Sequence, residues 1–278
     1  MEKLQLGKAW AAVRRAAPLI HCITNYVTVN DCANALLACG ASPIMADDAA
    51  EAEEITSLCA GLDVNIGTLN SRTVESMILA GRRANQLRHP VLLDPVGAGA
   101  SRFRTETALR LMGEVAFTAL RGNMSEIRTL TLGGGQSRGV DAASSDALSE
   151  ENLAPAAAFI RDSARRLRCL VIVTGAIDLI SDGERVCAVR NGHPMMARVT
   201  GTGCMLSAVT AACLAANPGR AFEAAAVAVC AMGLCGQTAH RAVEEERSGT
   251  GSFRVRLIDA LSLLDEKTLE GGALYELL

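Results

Sequence analysis

Aromatic side chains are scarce in this chain. Phe, Trp and Tyr make up 3% of its 278 residues, although half of the sequence is hydrophobic. The core must therefore be built from Ala, Leu, Val, Ile and Met. That mixture suits closely packed helices and buried parallel strands, and argues against the aromatic, Thr-rich alternation of a β-sandwich. Excess charge of one sign is also lacking. A net charge of -3 leaves no electrostatic footprint for nucleic acid. The one basic strip, 161–168, is interrupted by Asp162 and reads as a solvated helix face. Ten cysteines are present, but none forms a CxxC pair, so no zinc spacing exists. Most sit in apolar runs such as Cys169-Leu170-Val171-Ile172-Val173, where a thiol behaves as a small hydrophobe. Residues 1–15 are charged and amphipathic without an apolar centre, so no signal peptide is expected. Together these point to a reducing cytoplasm. The longest apolar window, 221–239, is mostly Ala and carries Glu223 and Gln237, which predicts a buried core helix rather than a membrane span.

Short β-branched runs predict buried strands over 18–23, 42–45, 63–66, 91–94, 116–120 and 170–174. Helical periodicity occupies 29–39, 50–60, 71–88, 105–112, 125–132 and 153–166. This alternation is the signature of repeated βαβ units: an α/β fold with a mainly parallel central sheet and helices on both faces. Segments 178–181 and 185–190 flank Asp182-Gly183 as an edge hairpin. The C-terminal third reads as helical, over 204–216, 221–242 and 252–265. Residues 133–150, rich in Gly, Ser and Asp, suit a surface loop. No linker, composition break or repeat divides the chain, which predicts one domain over 1–278.

In such sheets ligands bind beyond the carboxyl ends of the strands. That rim carries Thr24-Asn25-Tyr26, Met45, Gly67-Thr68, Asp94-Pro95, Arg121-Gly122-Asn123 and Thr174-Gly175. Val199-Thr200-Gly201-Thr202-Gly203-Cys204 joins them, running straight into an apolar helix. Backbone N–H groups at a helix start favour an anion, so this loop predicts a phosphate cradle. Cys204 in the first turn occupies the place most able to lower a thiol's pKa. Asp94, at a strand tip, could hold Mg²⁺ or cap the next turn. Asn123 and Glu126 have the spacing of a capping box; Glu126 could instead face the rim and help order the cation. Arg121 has the fork for two phosphate oxygens. Thr174 could contact phosphate or close a turn. Asn25 offers a neutral grip on a polar substrate, while Asn30 and Asn34 could equally be packing, and no Lys or Arg cluster marks that end for an anionic one. His21, within a strand, reads as a satisfied core residue, and no Ser-His-Asp or Cys-His pairing can be read from the spacing.

Eight strings in order then become specific together. They are Cys22-Ile23-Thr24-Asn25-Tyr26-Val27-Thr28, Gly40-Ala41-Ser42-Pro43-Ile44-Met45-Ala46, Asn65-Ile66-Gly67-Thr68-Leu69 and Leu93-Asp94-Pro95-Val96-Gly97-Ala98-Gly99, followed by Arg121-Gly122-Asn123-Met124-Ser125-Glu126-Ile127, Gly139-Val140-Asp141, Val173-Thr174-Gly175 and Thr200-Gly201-Thr202-Gly203-Cys204. The chain resembles the hydroxyethylthiazole kinases of the ribokinase-like superfamily. The resemblance implies ATP-dependent phosphorylation of the primary alcohol of 4-methyl-5-(2-hydroxyethyl)thiazole in thiamin salvage, by a homotrimer with sites between subunits. It implies that Met45 and Gly201 contact the thiazole, with Asn25, Val27 and Gly67 nearby. Arg121 and Thr174, with Asn123 beside them, would serve ATP, and Asp94 and Glu126 would order Mg²⁺. The amides of Gly201, Thr202, Gly203 and Cys204 would form the hole for the transferring phosphoryl group. Most ribokinase-like kinases carry an Asp base where Cys204 stands. Two rival readings are another reaction on the same fold, such as a hydroxymethylpyrimidine-type kinase or a nucleotide-dependent dehydratase, and a non-catalytic binding module.

Overall fold

The computed structural model describes residues 4–132 and 148–278. The expected loop over 133–150, and the Gly139-Val140-Asp141 string with it, lies almost wholly outside the described residues. Six parallel strands form the centre: β1 (Leu19–Ile23), β2 (Ser42–Ile44), β3 (Gly61–Asn65), β4 (Val91–Asp94), β5 (Ala119–Asn123) and β6 (Leu170–Thr174). Three antiparallel strands extend one edge: β7 (Asp178–Ser181), β8 (Val186–Val189) and β9 (Tyr275–Leu277). The spatial order is β2-β1-β3-β4-β5-β6-β7-β8-β9. Chain direction across the sheet thus reverses between β1 and β3, and the carboxyl ends there are where a ligand crevice opens.

Both faces of the sheet are dry. Ile20, Cys22, Leu92 and Ile172 point into one core; Ile23, Val64, Leu93 and Val171 point into the other. Helices α1 (Leu6–Ala16) and α2 (Val29–Cys39) cover the first face. Helices α3 (Ala52–Leu58), α4 (Ser71–Leu87), α5 (Arg102–Glu114), α6 (Met124–Leu132) and α7 (Leu153–Leu167) cover the second. Helices α8 (Thr202–Ala216), α9 (Ala221–Glu245), α10 (Thr250–Leu263) and α11 (Glu266–Gly272) return to the first. Helix α9 is the apolar window singled out above, and 78% of its most apolar stretch is buried inside the protein. Small Ala side chains let it lie close against α8, which explains how so large a core forms with few aromatics.

Three sequence expectations need correction. Strand β5 begins at Ala119 rather than 116, because the amide side chain of Asn85 holds both backbone groups of Ala116 at 2.8 Å and keeps them out of the ladder. Arg121 is consequently a strand residue and not a loop residue. Helix α5 starts at Arg102, not 105, since the Ser101 hydroxyl caps it by accepting from the Arg104 N–H at 3.2 Å. The C-terminal third is nearly all helix, as expected, with Tyr275–Leu277 returning beside β8 as a short edge strand. The hairpin over β7 and β8 forms, with Asp182 Oδ1 accepting from the Glu184 and Arg185 N–H groups, but β9 rather than β8 takes the expected sheet edge.

Candidate active site

Register assembles the site. Asn65 stands opposite Asp94, and pairing of Leu92 with Ala119 puts Arg121 next in the same row. Alternation sends these three side chains to one face of the sheet. Helix α8 packs over that face, with Cys204 and Ser207 one turn apart on its underside. Asp94 is fully buried. Its Oδ2 accepts from Ser207 Oγ at 2.7 Å, Asn65 Nδ2 at 2.8 Å and an Arg121 guanidinium nitrogen at 3.4 Å. Burial still raises its pKa, against the opposing pull of Arg121, Ser207 and Asn65. Its Oδ1 is buried with no hydrogen-bond partner. The side chain therefore does not cap the following turn.

Arg121 is the cation of the cleft. Its guanidinium donates to Thr174 Oγ1 at 2.7 Å and packs against Gly203, where an added Cβ would fall 2.7 Å from it. Glu126 and Asn123 do form a reciprocal capping box. Asn123 N–H donates to Glu126 Oε2 at 2.8 Å, and Glu126 N–H to Asn123 Oδ1 at 2.9 Å. The other Glu126 oxygen accepts from Gly97 N–H at 2.8 Å. The carboxyl thus ties α6 to the β4 loop while lining the same cleft as Asp94. Burial raises its pKa, with the two backbone donors opposing.

The helix start at Gly201 has the geometry of an anion cradle. Gly201 is in the left-handed region at φ +93°, and no side chain caps the helix. The first helical bond runs from Met205 N–H to Gly201 O at 2.8 Å, which leaves the N–H groups of Thr202, Gly203 and Cys204 without helical partners. Thr202 Oγ1 donates to Met196 O at 3.1 Å and steadies the loop. Cys204 Sγ accepts from Asn65 Nδ2 at 3.3 Å. Its pKa is raised, by burial first and then by Asp94, which overturns the expectation of a lowered thiol. Desolvation and a neighbouring carboxylate outweigh the helix terminus.

Two cavities meet at Arg121. A cleft of about 250 Å³ is lined by Asn25, Thr28, Asp94, Glu126, Gly201 and Cys204, among others. A larger one of about 470 Å³ shares Arg121, Thr174 and Gly203, then runs past Asp178, Asn191 and His193 to the apolar Val229 and Met232. Not every expected residue enters the cleft. Gly67 packs directly against Asn25, whose Oδ1 accepts from Val27 N–H at 2.9 Å. Val27 itself is 65% exposed, and Met45 lies at the end of β2, further along the rim. His21 is a satisfied core residue, bonded to Thr56 Oγ1 and Ala46 O. All ten cysteines are unpaired, and nine of them are buried.

Several polar residues of this region went unread in the sequence. Asn65, Ser207 and Asp178 look ordinary until the strands are aligned; burial pushes Asp178 up to about 7. Asp63 is the sharpest case. It lies one step below Asn65 on the same face of β3, fully buried, with neither oxygen hydrogen-bonded. Its pKa stands well above the carboxylate range through burial and the neighbouring Asp94. The folded chain keeps a proton that the unfolded chain releases above pH ~4. Stability conferred on the chain therefore falls as pH rises from there through the folded pKa. We predict that Asp63→Val gains about 1–3 kcal/mol at pH 4, from removing an unpaired buried carboxyl, and more than that at pH 8, where keeping the proton adds to the cost. Thermal melts of both proteins across that range test it; equal shifts at both ends contradict it.

A doubly covered, mainly parallel sheet with an open helix start, an arginine and two carboxylates on one rim is the architecture of the ribokinase-like fold. A ribokinase-like protein from Enterococcus faecalis V583 shares the fold alone, with a TM-score of 0.61 at 13% identity over 95% of this chain and 89% of that one. The chain belongs to the hydroxyethylthiazole kinase family, whose model matches residues 10–267. A hydroxyethylthiazole kinase of Clostridium acetobutylicum is 53% identical over 264 residues, covering 95% of this chain and 96% of the relative. The solved hydroxyethylthiazole kinase structure from Pyrococcus horikoshii OT3 superposes with a TM-score of 0.85 at 38% identity, over 98% of both chains.

Proposed function

We propose that this chain transfers the γ-phosphoryl group of ATP to the primary alcohol of 4-methyl-5-(2-hydroxyethyl)thiazole, as a salvage step toward thiamin. The observation that carries the reading is the meeting of the two cavities at Arg121 and Gly203, in a chain of this family. The larger cavity has the volume and apolar far wall that a nucleoside needs. The smaller one offers neutral groups, Asn25 foremost, to an uncharged heterocyclic alcohol. The alcohol oxygen attacks the γ-phosphorus, the bond to the bridging oxygen breaks, ADP leaves, and the alcohol proton passes to a phosphate oxygen or to water. Such a transition state asks mainly for positioning and for neutralising the equatorial oxygens. Arg121 and the amides of Thr202, Gly203 and Cys204 supply both, and Thr174 orients the guanidinium.

Mg²⁺ fits this donor set. Asp94 keeps one unpartnered buried oxygen, Glu126 adds a second carboxylate, and both are hard oxygen ligands. Among the described residues no cluster of three or more His, Cys, Asp and Glu side chains could hold a metal alone. The cation would therefore share Asp94 and Glu126 with phosphate oxygens and water. When bound it would neutralise charge on the transferring group. Cys204 is at most a modest base, since its raised pKa keeps the thiol protonated at neutral pH. We predict that Cys204→Asp keeps kcat within about tenfold of wild type, because the sulfur itself is not required. Abolished turnover in a folded variant contradicts this.

The proposal extends to one cytoplasmic kinase domain over the whole chain, supported by the continuous sheet and by ten unpaired cysteines. It also includes a homotrimer, supported by Tyr26 and Val27, which stand exposed beside Asn25 where another subunit would complete the pocket. A panel of alcohols assayed with ATP and Mg²⁺ tests the acceptor. The thiazole alcohol should outpace a hydroxymethylpyrimidine; the reverse order replaces this reading with the rival kinase.

A further inference from the structure

We propose that Arg104 is a positioning residue for this reaction. It locks the loop after β3, which forms the acceptor side, to the loop after β4, which holds the Glu126 carboxyl. One guanidinium nitrogen donates to Ile66 O at 2.8 Å and to Val96 O at 2.7 Å, and the other donates to Gly67 O at 2.7 Å. Both strand-end loops are thus fastened to a single planar group. Each touches a residue that lines the cleft. Gly67 packs against Asn25, and Gly97, next to Val96, gives its N–H to Glu126 at 2.8 Å.

Helix formation does not account for an arginine here. Arg104 occupies the first turn of α5, where the positive end of the helix dipole disfavours a cation. Among the described residues no carboxylate lies within ion-pair distance of it. Its neighbour Arg102, by contrast, is exposed and pairs with Glu106. Three carbonyls on two loops are what hold Arg104. Gly97 leaves room for the stem: at φ +77°, a Cβ there would fall 3.0 Å from Arg104 Cδ. Lysine could not reproduce the fork, because its single nitrogen cannot span carbonyls on both loops with the same rigidity.

The inference rests on the acceptor reading above, so two readouts are needed. Hydrogen exchange of the substrate-free protein reads the clamp alone. In Arg104→Ala, exchange should quicken together in peptides covering 65–70 and 95–100. Kinetics read the consequence: a raised KM for the thiazole alcohol and a kcat/KM lowered about a hundredfold, as misplacement of reacting groups by about 1 Å produces. ATP binding measured without Mg²⁺ should be unchanged, since Arg121, Thr174 and Gly203 do not touch Arg104. Arg104→Lys should recover part of the loss. Ser101→Ala, which uncaps the same helix but keeps the guanidinium, should stay near wild type. Wild-type kinetics in Arg104→Ala, exchange changed in one loop only, or an equal loss in Ser101→Ala each overturns the proposal. If the wild type leaves the thiazole alcohol untouched, the acceptor reading fails and the exchange result still decides the clamp.

Discussion

Gly201→Val should lower kcat at least about a thousandfold in a chain that still folds, because it disturbs several donors of the cradle and not one. Two effects combine. The backbone at 201 has φ +93°, where a β-branched residue is a steric outlier. An added Cβ would also stand 2.6 Å from Thr28 Cγ2 and 2.9 Å from Thr28 Cβ, inside any real contact distance. Thr28 is not the tip of a flexible side chain. It is buried, and its N–H donates to Asn25 O at 3.0 Å. The strain must be relieved by moving the loop, and the amides of Thr202, Gly203 and Cys204 move with it. Helix α8 remains anchored in the core by Met205, Val209, Ala212 and Cys213, so the fold survives. Steady-state ADP release alongside a thermal melt separates the two effects. A fully active variant removes the loop from the mechanism.

Arg121→Ala should cost about 10³–10⁵ in kcat, the range for removing an arginine that neutralises a transferring phosphoryl group. The guanidinium is only 12% exposed, so its charge is poorly screened. It also touches the titration of the whole cleft, lowering the pKa values of Asp94, Glu126 and Asp178. Removing it should move the acid limb of the pH–rate profile to higher pH, beyond the fall in kcat. Arg121→Lys should not restore activity: an ammonium lacks the fork that joins Thr174 to the cleft. A kcat within tenfold of wild type, with an unmoved acid limb, assigns Arg121 to structure alone.

Much of the rim was legible because its residues are chemically out of place in so apolar a chain. Asp94-Pro95, Asn123 and Glu126, and the Gly201 loop each interrupt a hydrophobic run, and strand-end position follows from such interruptions. What stayed hidden depends on alignment between distant strands. Arg121 reads as a loop residue until Asn85 is seen holding Ala116 and delaying β5. Asp63-Val64-Asn65 did contain a usable signal: two polar residues at a spacing of two, hence on one face of a buried strand. Ser207, three residues after Cys204, carried a similar one on α8. The role of Arg104 had no local signal, because its three acceptors are backbone carbonyls that any sequence would provide. The raised pKa of Cys204 was hidden for a related reason. Local position at a helix start argued one way, and burial beside Asp94 decided it.

We propose that the Gly201 loop and Arg121 support phosphoryl transfer from ATP to a thiazole alcohol. Coupled ADP release by the wild-type protein, with the phosphorylated product quantified in parallel, tests it most directly. ADP should form only when the alcohol is present, in one-to-one ratio with thiazole phosphate. ADP formed at the same rate without the alcohol, or none formed with it, contradicts this activity.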